Sequence, residues 1–470
     1  MASFYSIADV LNVAQIHPFY TPSVRYPPSP DEIAVAVQRN DRSASGQLSR
    51  QPLLRKDRLY KTIERLYADT TPENHYRTNS YLSITGGGSG KSLPMVFLTD
   101  AEENQNQRLA MSQIMKAIKM VDRTDWVLNI HPGGLLYRAL DLSTQNIEQA
   151  GGTVLCAGHK MPHERSLEAC IQYRVNVITS DSAHMLNFAH YVASLPRSAR
   201  SELKISKVIC TCELLTLSKR RYLTSVFGPL TFFSMFASAE TGPWAVATLD
   251  ARTTSVDGTT DFLYDTRAMH IEVLSLNSKI WTTEPDSPPV ETDFMSDGTA
   301  GHLILTSLQR LKNPLVRYVS GDIGSLHSAS KSSYPQIDPE LREHVKVLRL
   351  HGRDKRFSFK WLGDYYEFES LDQVMATEDW GILQWQIIIQ QGKDWEGSDS
   401  LELRLMRRSE DGNTISKEEL IQRLRNVFYL TELTEKLFSA VFLESLEGFE
   451  RSSTSSKIVR FIDSRPKTHL

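Results

Sequence analysis

The sequence predicts an α/β fold: a large N-terminal domain with mostly parallel sheets flanked by helices plus a β-subdomain, followed by a small α+β C-terminal domain. Short β-type runs alternate with helical patterns from residue 126 to 226, as in β-α units on a parallel sheet. From residue 261 to 322 the pattern becomes β-rich and is punctuated by glycine and proline. The 470 residues also exceed the roughly 250–300 at which single cores stop growing.

The predicted elements can be placed in chain order. Leu59, Ile63 and Leu66 recur at helical spacing and predict a helix over 56–67, and a similar pattern covers 107–121. The alternating region predicts strands at 126–130, 153–156, 175–179 and 207–212, and helices at 136–150, 163–173, 183–193 and 217–226. Ligands on such sheets bind beyond the carboxyl ends of the strands. That edge includes Glu213 and the segment after Thr231.

The C-terminal third predicts a second domain. The β-rich region that precedes it predicts strands at 302–306 and 315–319, and the domain boundary is expected at 351–356. Beyond it the pattern predicts strands at 384–391 and 400–407 and helices at 416–427 and 431–443.

Composition excludes several classes of protein. Apolar residues make up 40%, charged residues 23%, and the net charge is −3, so no basic face for nucleic acid is expected. No apolar run is long enough to span a membrane, and the first residues do not resemble a secretory signal. The four cysteines form neither a zinc pattern nor a disulfide framework, which predicts a reducing, cytoplasmic setting. Thr468-His469-Leu470 loosely resembles a peroxisomal address, but a frayed tail is the favoured interpretation.

The segment SITGGGSGKSLP, residues 83–94, combines glycines with hydroxyls and a lysine, a composition suited to wrapping phosphates. A P-loop would need glycine where Thr85 stands, and Pro94 disfavours the helix that should follow. A flexible linker is the plain alternative. The run Thr85-Gly86-Gly87-Gly88-Ser89-Gly90-Lys91 instead resembles the phosphate loop of adenylate-forming enzymes.

Later stretches follow in the order expected of that superfamily, which includes acyl-CoA synthetases, adenylation domains and luciferases. They are FASAETGP (236–243), GHLILTSL (301–308), PLVRYVSGDI (314–323), HGR (351–353) and SSTSSKI (452–458). The resemblance runs from about residue 53 to the C-terminus and is greatest to the phenylacetate–CoA ligase branch. It implies an N-terminal AMP-binding domain (1–352), a hinge (353–356) and a mobile C-terminal domain (357–470).

The resemblance also implies roles for individual residues. Phe236 would stack on adenine, Glu240 would meet Mg²⁺, and Asp322 would bind the ribose hydroxyls. Arg353 would contact ribose or phosphate, and Lys457 would enter the site for adenylation. Further nucleotide contacts fall on the glycine loop and on Glu213, Ser238, Ala239 and Thr241.

Some positions depart from the family pattern. Ala239 stands where a Thr or Ser hydroxyl usually contacts the α-phosphate, so either Ser238 or Thr241 substitutes or adenylation is slow. Ser456 replaces a glycine beside the lysine. Gly363 lies one residue further from Arg353 than the family pattern places it, so either Asp354 or Lys355 is the pivot of the hinge.

The implied reaction joins a small-molecule carboxylic acid to ATP, with Mg²⁺, and passes the acyl group to coenzyme A. Candidate residues against the acid are Asn129, His131 and His184, for which a structural role is equally open. An amine acceptor and a non-catalytic nucleotide binder remain alternatives. The sequence leaves the oligomeric state open, a homodimer included.

Overall fold

The computed structural model describes residues 2–38, 48–49, 51–84, 96–134, 136–211, 215, 217–250, 259–278, 294–332, 334–354, 358–391, 398–407, 414–432, 434–450 and 458–465. These residues form two compact units, and the boundary between them falls after Asp354. That boundary lies inside the segment predicted from sequence, and each unit is considered by itself below.

The first part of the large unit contains helices and a hairpin. They are α1 (Ile7–Ala14), α2 (Pro30–Gln38), α3 (Lys56–Ala68), β1 (Ser80–Ile84), β2 (Val96–Asp100) and α4 (Ala101–Ala117). The predicted helix at 56–67 is confirmed as α3, whose periodic leucines and isoleucine are buried. Helix α4 begins earlier than predicted because Asp100 caps it, accepting hydrogen bonds from the amides of Glu102 and Glu103.

The alternating region folds as predicted. Its elements are β3 (Trp126–Asn129), α5 (Ala139–Gln149), β4 (Thr153–Cys156), α6 (His163–Gln172), β5 (Val177–Ser180), α7 (Ser182–Ser194), α8 (Arg197–Arg200), β6 (Lys207–Thr211), α9 (Leu217–Phe227) and β7 (Thr231–Ser238). The five strands pair in parallel in the order β4-β3-β5-β6-β7. One core cluster includes buried residues of α6, α7 and α9, and another those of α4 and α5. The α/β class is therefore confirmed.

The β-rich region continues this sheet. It contains β8 (Gly242–Thr248), β9 (Thr260–Asp265), β10 (Met269–Leu274), β11 (Gly301–Ser307), β12 (Tyr318–Ser328), α10 (Pro339–Arg342) and β13 (Val345–Arg353). Among the described residues the order is β10-β11-β12-β13-β9-β8-β7-β6-β5-β3-β4, and every pair from β10 to β7 is antiparallel. The predicted β-subdomain is thus the antiparallel half of one mixed sheet.

The small unit is α+β. It contains β14 (Ser358–Trp361), β15 (Asp364–Glu367), α11 (Phe368–Met375), β16 (Ile382–Gln390), β17 (Ser400–Arg407), α12 (Lys417–Val427), β18 (Phe438–Phe442) and β19 (Phe461–Asp463). Strands β14 and β15 pair with each other, and the other four described strands form a sheet of order β18-β17-β16-β19. The predicted helix at 431–443 is wrong. Phe438, Ala440 and Phe442 alternate with the period of a strand, and β18 packs them against the core while pairing with β17.

A buried ion pair fixes the chain that leads into α3. Arg317 lies at 1% exposure, and its Nε is 3.0 Å from Oε2 of Glu272. The same guanidinium donates to the carbonyls of Ser49 and Gln51, at 2.8 and 2.7 Å. The amide of Leu54 donates to the carbonyl of Arg317 at 2.9 Å. Ser49, Gln51 and Leu54 are thereby held beside Arg317, which directly precedes β12.

We expect Arg317→Met to lower the free energy of unfolding by about 3–5 kcal/mol, because it leaves the carboxylate of Glu272 buried and unpaired. The double variant Arg317→Met/Glu272→Met should be more stable than the single one. Urea denaturation measures both. Arg349→Met, which breaks a more exposed pair with Asp261, is the control and should cost at most about 1 kcal/mol. If Arg317→Met and Arg349→Met lower the free energy of unfolding equally, the buried pair contributes no more than the exposed one and this prediction is wrong.

Candidate active site

Two predicted residues, His131 and Glu240, lie at one edge of the sheet together with Asp181 and Thr211. Strands β3, β5, β6 and β7 are neighbours and parallel, so their carboxyl ends meet at the same edge. His131 follows β3, Asp181 follows β5, Thr211 ends β6, and Glu240 follows β7. In open α/β sheets, ligands bind beyond this edge.

The turn that carries Glu240 is fixed through its backbone. Glu240 is buried, and its carbonyl accepts a hydrogen bond of 2.6 Å from Nη2 of Arg310. The next carbonyl, that of Thr241, accepts one of 2.7 Å from Nε2 of Gln107 on α4. Gly242 has φ +68°, and a Cβ there would lie 2.3 Å from Oε1 of Gln107. Glycine is favoured here because the φ is left-handed, and a Cβ would also displace the Gln107 carboxamide.

The Glu240 carboxylate contacts two side chains of α3. Its Oε1 accepts a hydrogen bond from the Tyr60 hydroxyl and lies 4.0 Å from Nζ of Lys56. Burial favours the neutral acid, but the charge of Lys56 and the Tyr60 hydrogen bond outweigh it, so the pKa of Glu240 is lowered from its ordinary value. Glu240 is therefore an ionised carboxylate held in place by α3.

The hydroxyls on either side of Ala239 bond to each other. Oγ of Ser238 and Oγ1 of Thr241 are 2.9 Å apart, and the amide of Thr241 donates to Oγ of Ser238 at 3.1 Å. Thr241 is 1% exposed and also donates to the carbonyl of Gly242. Ser238 is half-buried and is the more accessible of the two hydroxyls. Which of them replaces the missing hydroxyl stays a prediction.

Asp322 and Arg353 are brought together by strand register. They are cross-strand partners on β12 and β13, with Nε of Arg353 3.3 Å from Oδ1 of Asp322. Burial raises the pKa of Asp322, Arg353 opposes that rise, and the negative charge of Glu240 adds to it. The two carboxylates thus lie within electrostatic reach of each other.

Asp354, one of the two pivot candidates, is anchored in the large unit. It is 5% exposed, and its Oδ2 lies 3.7 Å from Nδ1 of His302. Its amide donates to the carbonyl of Gly321 at 3.0 Å. Lys355, the other candidate, lies outside the described residues.

Phe236 lies on β7, four residues before Glu240. Its ring centroid is 5.3 Å from those of both Trp244 and Phe262. The half-buried ring is therefore supported by two aromatic neighbours in the core. Its role beside adenine stays a prediction.

Asn129 and His131 are fully buried. Nδ2 of Asn129 donates to the hydroxyls of Ser143 and Thr144, at 2.8 and 2.9 Å, which fixes α5 to β3. Nε2 of His131 lies 3.3 Å from the hydroxyl of Thr179 and equally far from that of Thr211. Burial lowers the pKa of His131 to about 4, so the ring is neutral at pH 7.

His184 pairs with a residue that sequence reasoning missed. Asp181 caps α7 by accepting from the His184 amide at 3.0 Å, and its other oxygen is 2.7 Å from Nδ1 of His184. This hydrogen bond raises the pKa of His184. An Asp three residues before a His at a helix start was the available signal. Gln107 and Arg310, also missed, gave no local signal.

Other predicted site residues lie outside the described part of the chain. They are Thr85 to Lys91, Glu213 and Lys457. The register of β1 with β2 pairs Ile84 with Val96, so the two residues on either side of 85–95 lie side by side. Among the described residues, no cluster of three or more His, Cys, Asp or Glu could hold a metal ion. No helix in that part of the chain is long and apolar enough to cross a membrane.

Comparison with protein-family models finds no match, and neither does comparison with curated proteins. Solved structures do match. A 2-hydroxyisobutyryl-CoA ligase in complex with 2-HIB-AMP and CoA in the thioesterification state is similar at 14% identity and a TM-score of 0.66, over 97% of this chain and 87% of that one. An open conformation of that ligase covers 97% and 89%, at 14% identity and a TM-score of 0.53. The chain thus shares the fold of this CoA ligase, which agrees with the α/β fold expected from the motifs.

Proposed function

We propose that this chain activates a carboxylic acid with ATP as an acyl-adenylate and then transfers the acyl group to the thiol of coenzyme A. The observation that carries the proposal is the grouping of Glu240, Asp322 and Arg353 in a chain with this fold. The solved neighbour is itself a CoA ligase in complex with 2-HIB-AMP and CoA. The phenylacetate–CoA ligase branch and the identity of the acid remain expectations from sequence.

The first step makes the acid reactive. One carboxylate oxygen attacks the α-phosphorus of ATP, the bond to the bridging oxygen breaks, and pyrophosphate leaves. Negative charge builds up on the transferring phosphoryl group, so catalysis depends on cations and amide donors placed around it. The second step is attack by the thiol on the acyl carbon, with AMP as the leaving group.

The described residues fit a magnesium ion bound together with phosphates. Mg²⁺ is usually held by one or two carboxylates plus phosphate oxygens and waters. Glu240 supplies one ionised carboxylate, held by Tyr60 and Lys56, and no three-ligand cluster is needed. Bound there, the ion would neutralise charge on the phosphates.

The other residues would bind and orient the nucleotide. Asp322 would accept hydrogen bonds from ribose hydroxyls while Arg353 compensates its charge. Phe236 would stack on adenine. Amides of the glycine segment would surround the phosphates, and the ammonium group of Lys457 would stabilise the transferring phosphoryl group. The carboxyl edge near His131 and His184 would receive the acid.

The direct test is pyrophosphate release with ATP, Mg²⁺ and a panel of aryl, alkyl and 2-hydroxy acids, with and without coenzyme A. We expect release that depends on the acid and that coenzyme A accelerates, together with a new thioester in the mass spectrum. Release unaffected by coenzyme A would instead indicate an amine or another acceptor. If no acid gives release and ATP does not bind, the proposal is wrong.

Asp322→Ala should weaken ATP binding about 10- to 100-fold, because a hydrogen bond to a charged group contributes roughly 1.5–3 kcal/mol. Titration calorimetry measures the change. Asp261→Ala is a matched control, since Asp261 also pairs with an arginine of β13, Arg349. Equal affinities for ATP in the two variants would remove Asp322 from the nucleotide site.

Lys457→Ala should slow adenylate formation roughly 10²- to 10³-fold, the usual loss for one transition-state donor. Thioester formation from a supplied acyl-adenylate should stay largely intact. Lys436→Ala, an exposed lysine of the same unit, is the control. Two unimpaired half-reactions in Lys457→Ala would exclude this lysine from the adenylation step.

A further inference from the structure

A buried carboxamide joins two distant parts of the small unit. Gln386 lies on β16 and is 0% exposed. Its Nε2 donates to the carbonyls of Glu450 and Val459, at 2.9 and 2.7 Å, and its Oε1 accepts from the amide of Glu450 at 3.0 Å. Three hydrogen bonds therefore connect one side chain to two points of the backbone.

Those two points bracket a single short segment. The amide of Val459 donates to the carbonyl of Glu450 at 3.1 Å, so these two residues lie next to each other although eight positions separate them in the sequence. The next carbonyl, that of Arg460, accepts from the amide of Ile387 at 2.9 Å, where β19 begins its pairing with β16. The bracketed segment contains Lys457.

We propose that Gln386 is a positioning residue for adenylation: its carboxamide fixes both ends of the segment that carries Lys457. This inference rests on the proposed function, in which Lys457 acts on the transferring phosphoryl group. The lysine must reach that group with little positional error, and a misplacement near 1 Å can reduce a rate about 10²-fold. A clamp on both ends of the segment limits such error.

Only a carboxamide of this length meets the three backbone groups. Two N–H groups face two carbonyls, and one carbonyl oxygen faces an amide. Glutamate has nearly the same shape but lacks both donors, so its oxygens would face the carbonyls of Glu450 and Val459. Leucine would leave all three backbone groups without this partner.

Other contacts keep the flanking residues in the unit when Gln386 is replaced. Arg460 pairs with Asp372 on α11 at 2.7 Å, and its guanidinium lies 4.6 Å from the ring centroid of Trp385. Nη1 of Arg404 donates to the carbonyl of Gly448 at 2.9 Å. Substitution of Gln386 should therefore loosen the two ends without unfolding β19.

The test measures the two half-reactions separately in the full-length chain, with an acid that the wild type accepts. Gln386→Glu and Gln386→Leu should slow pyrophosphate release roughly 10- to 100-fold and leave thioester formation from the supplied acyl-adenylate nearly unchanged. Gln390→Leu, exposed at the end of the same strand, should change neither rate. If the variants slow both half-reactions equally, or neither, the positioning role is wrong.

Amide hydrogen exchange at Glu450 and Val459 provides a readout independent of activity. Both amides should exchange faster in the Gln386 variants than in wild type or Gln390→Leu, and unchanged exchange would overturn the clamp. If these amides exchange faster in the Gln386 variants but the wild-type protein adenylates no acid, the clamp exists. The proposed function, and the positioning role that rests on it, would then be wrong. If Gln386→Leu does not fold, the near-isosteric Gln386→Glu carries the test.

Discussion

The buried pair of Arg317 and Glu272 is the contact on which both acidic residues of the site depend. It holds Ser49 and Gln51 beside Arg317, which directly precedes β12, the strand that also carries Asp322. Helix α3 starts shortly after these residues and presents Lys56 and Tyr60 to the Glu240 carboxylate. Burying two charges is costly unless they are paired and hydrogen-bonded, and here the guanidinium also satisfies two carbonyls. This one buried ion pair thus fixes the chain next to two distant parts of the site.

The Glu240 turn is held both through its backbone and through the Glu240 carboxylate. Arg310 and Gln107 hold consecutive carbonyls of its backbone, and α3 holds its carboxylate. Burial lowers the pKa of Arg310 to about 10, so this buried donor keeps its charge at pH 7. Groups fixed before a ligand arrives need little reorganisation during reaction, which is the main way in which polar sites accelerate charge-forming steps.

Local pattern explains what the sequence could and could not predict. Helix α3 and the parallel strands were predicted correctly, and Glu240 and Asp322 were selected as site candidates, because short runs of neighbouring residues carry their signal. The helix predicted at 431–443 was wrong because a helical and a strand period both fit so few residues. Pairing with β17 stabilises the strand β18 there. The Arg310–Glu240 and Gln107–Thr241 contacts join residues 70 and 134 positions apart. No run of neighbours encodes such contacts, so the supports of the site became visible only in the fold.

The negative charges of the two site carboxylates are compensated by different cations on different elements. Lys56 of α3 lowers the pKa of Glu240, whereas Asp322 relies on Arg353 of β13 against a pKa that burial raises. Each negative charge also disfavours the other, since Glu240 contributes to the raised pKa of Asp322. A nucleotide triphosphate would add further negative charge here. Under the proposed function it must therefore bind together with cations, and Mg²⁺ beside Glu240 and the ammonium group of Lys457 would supply them.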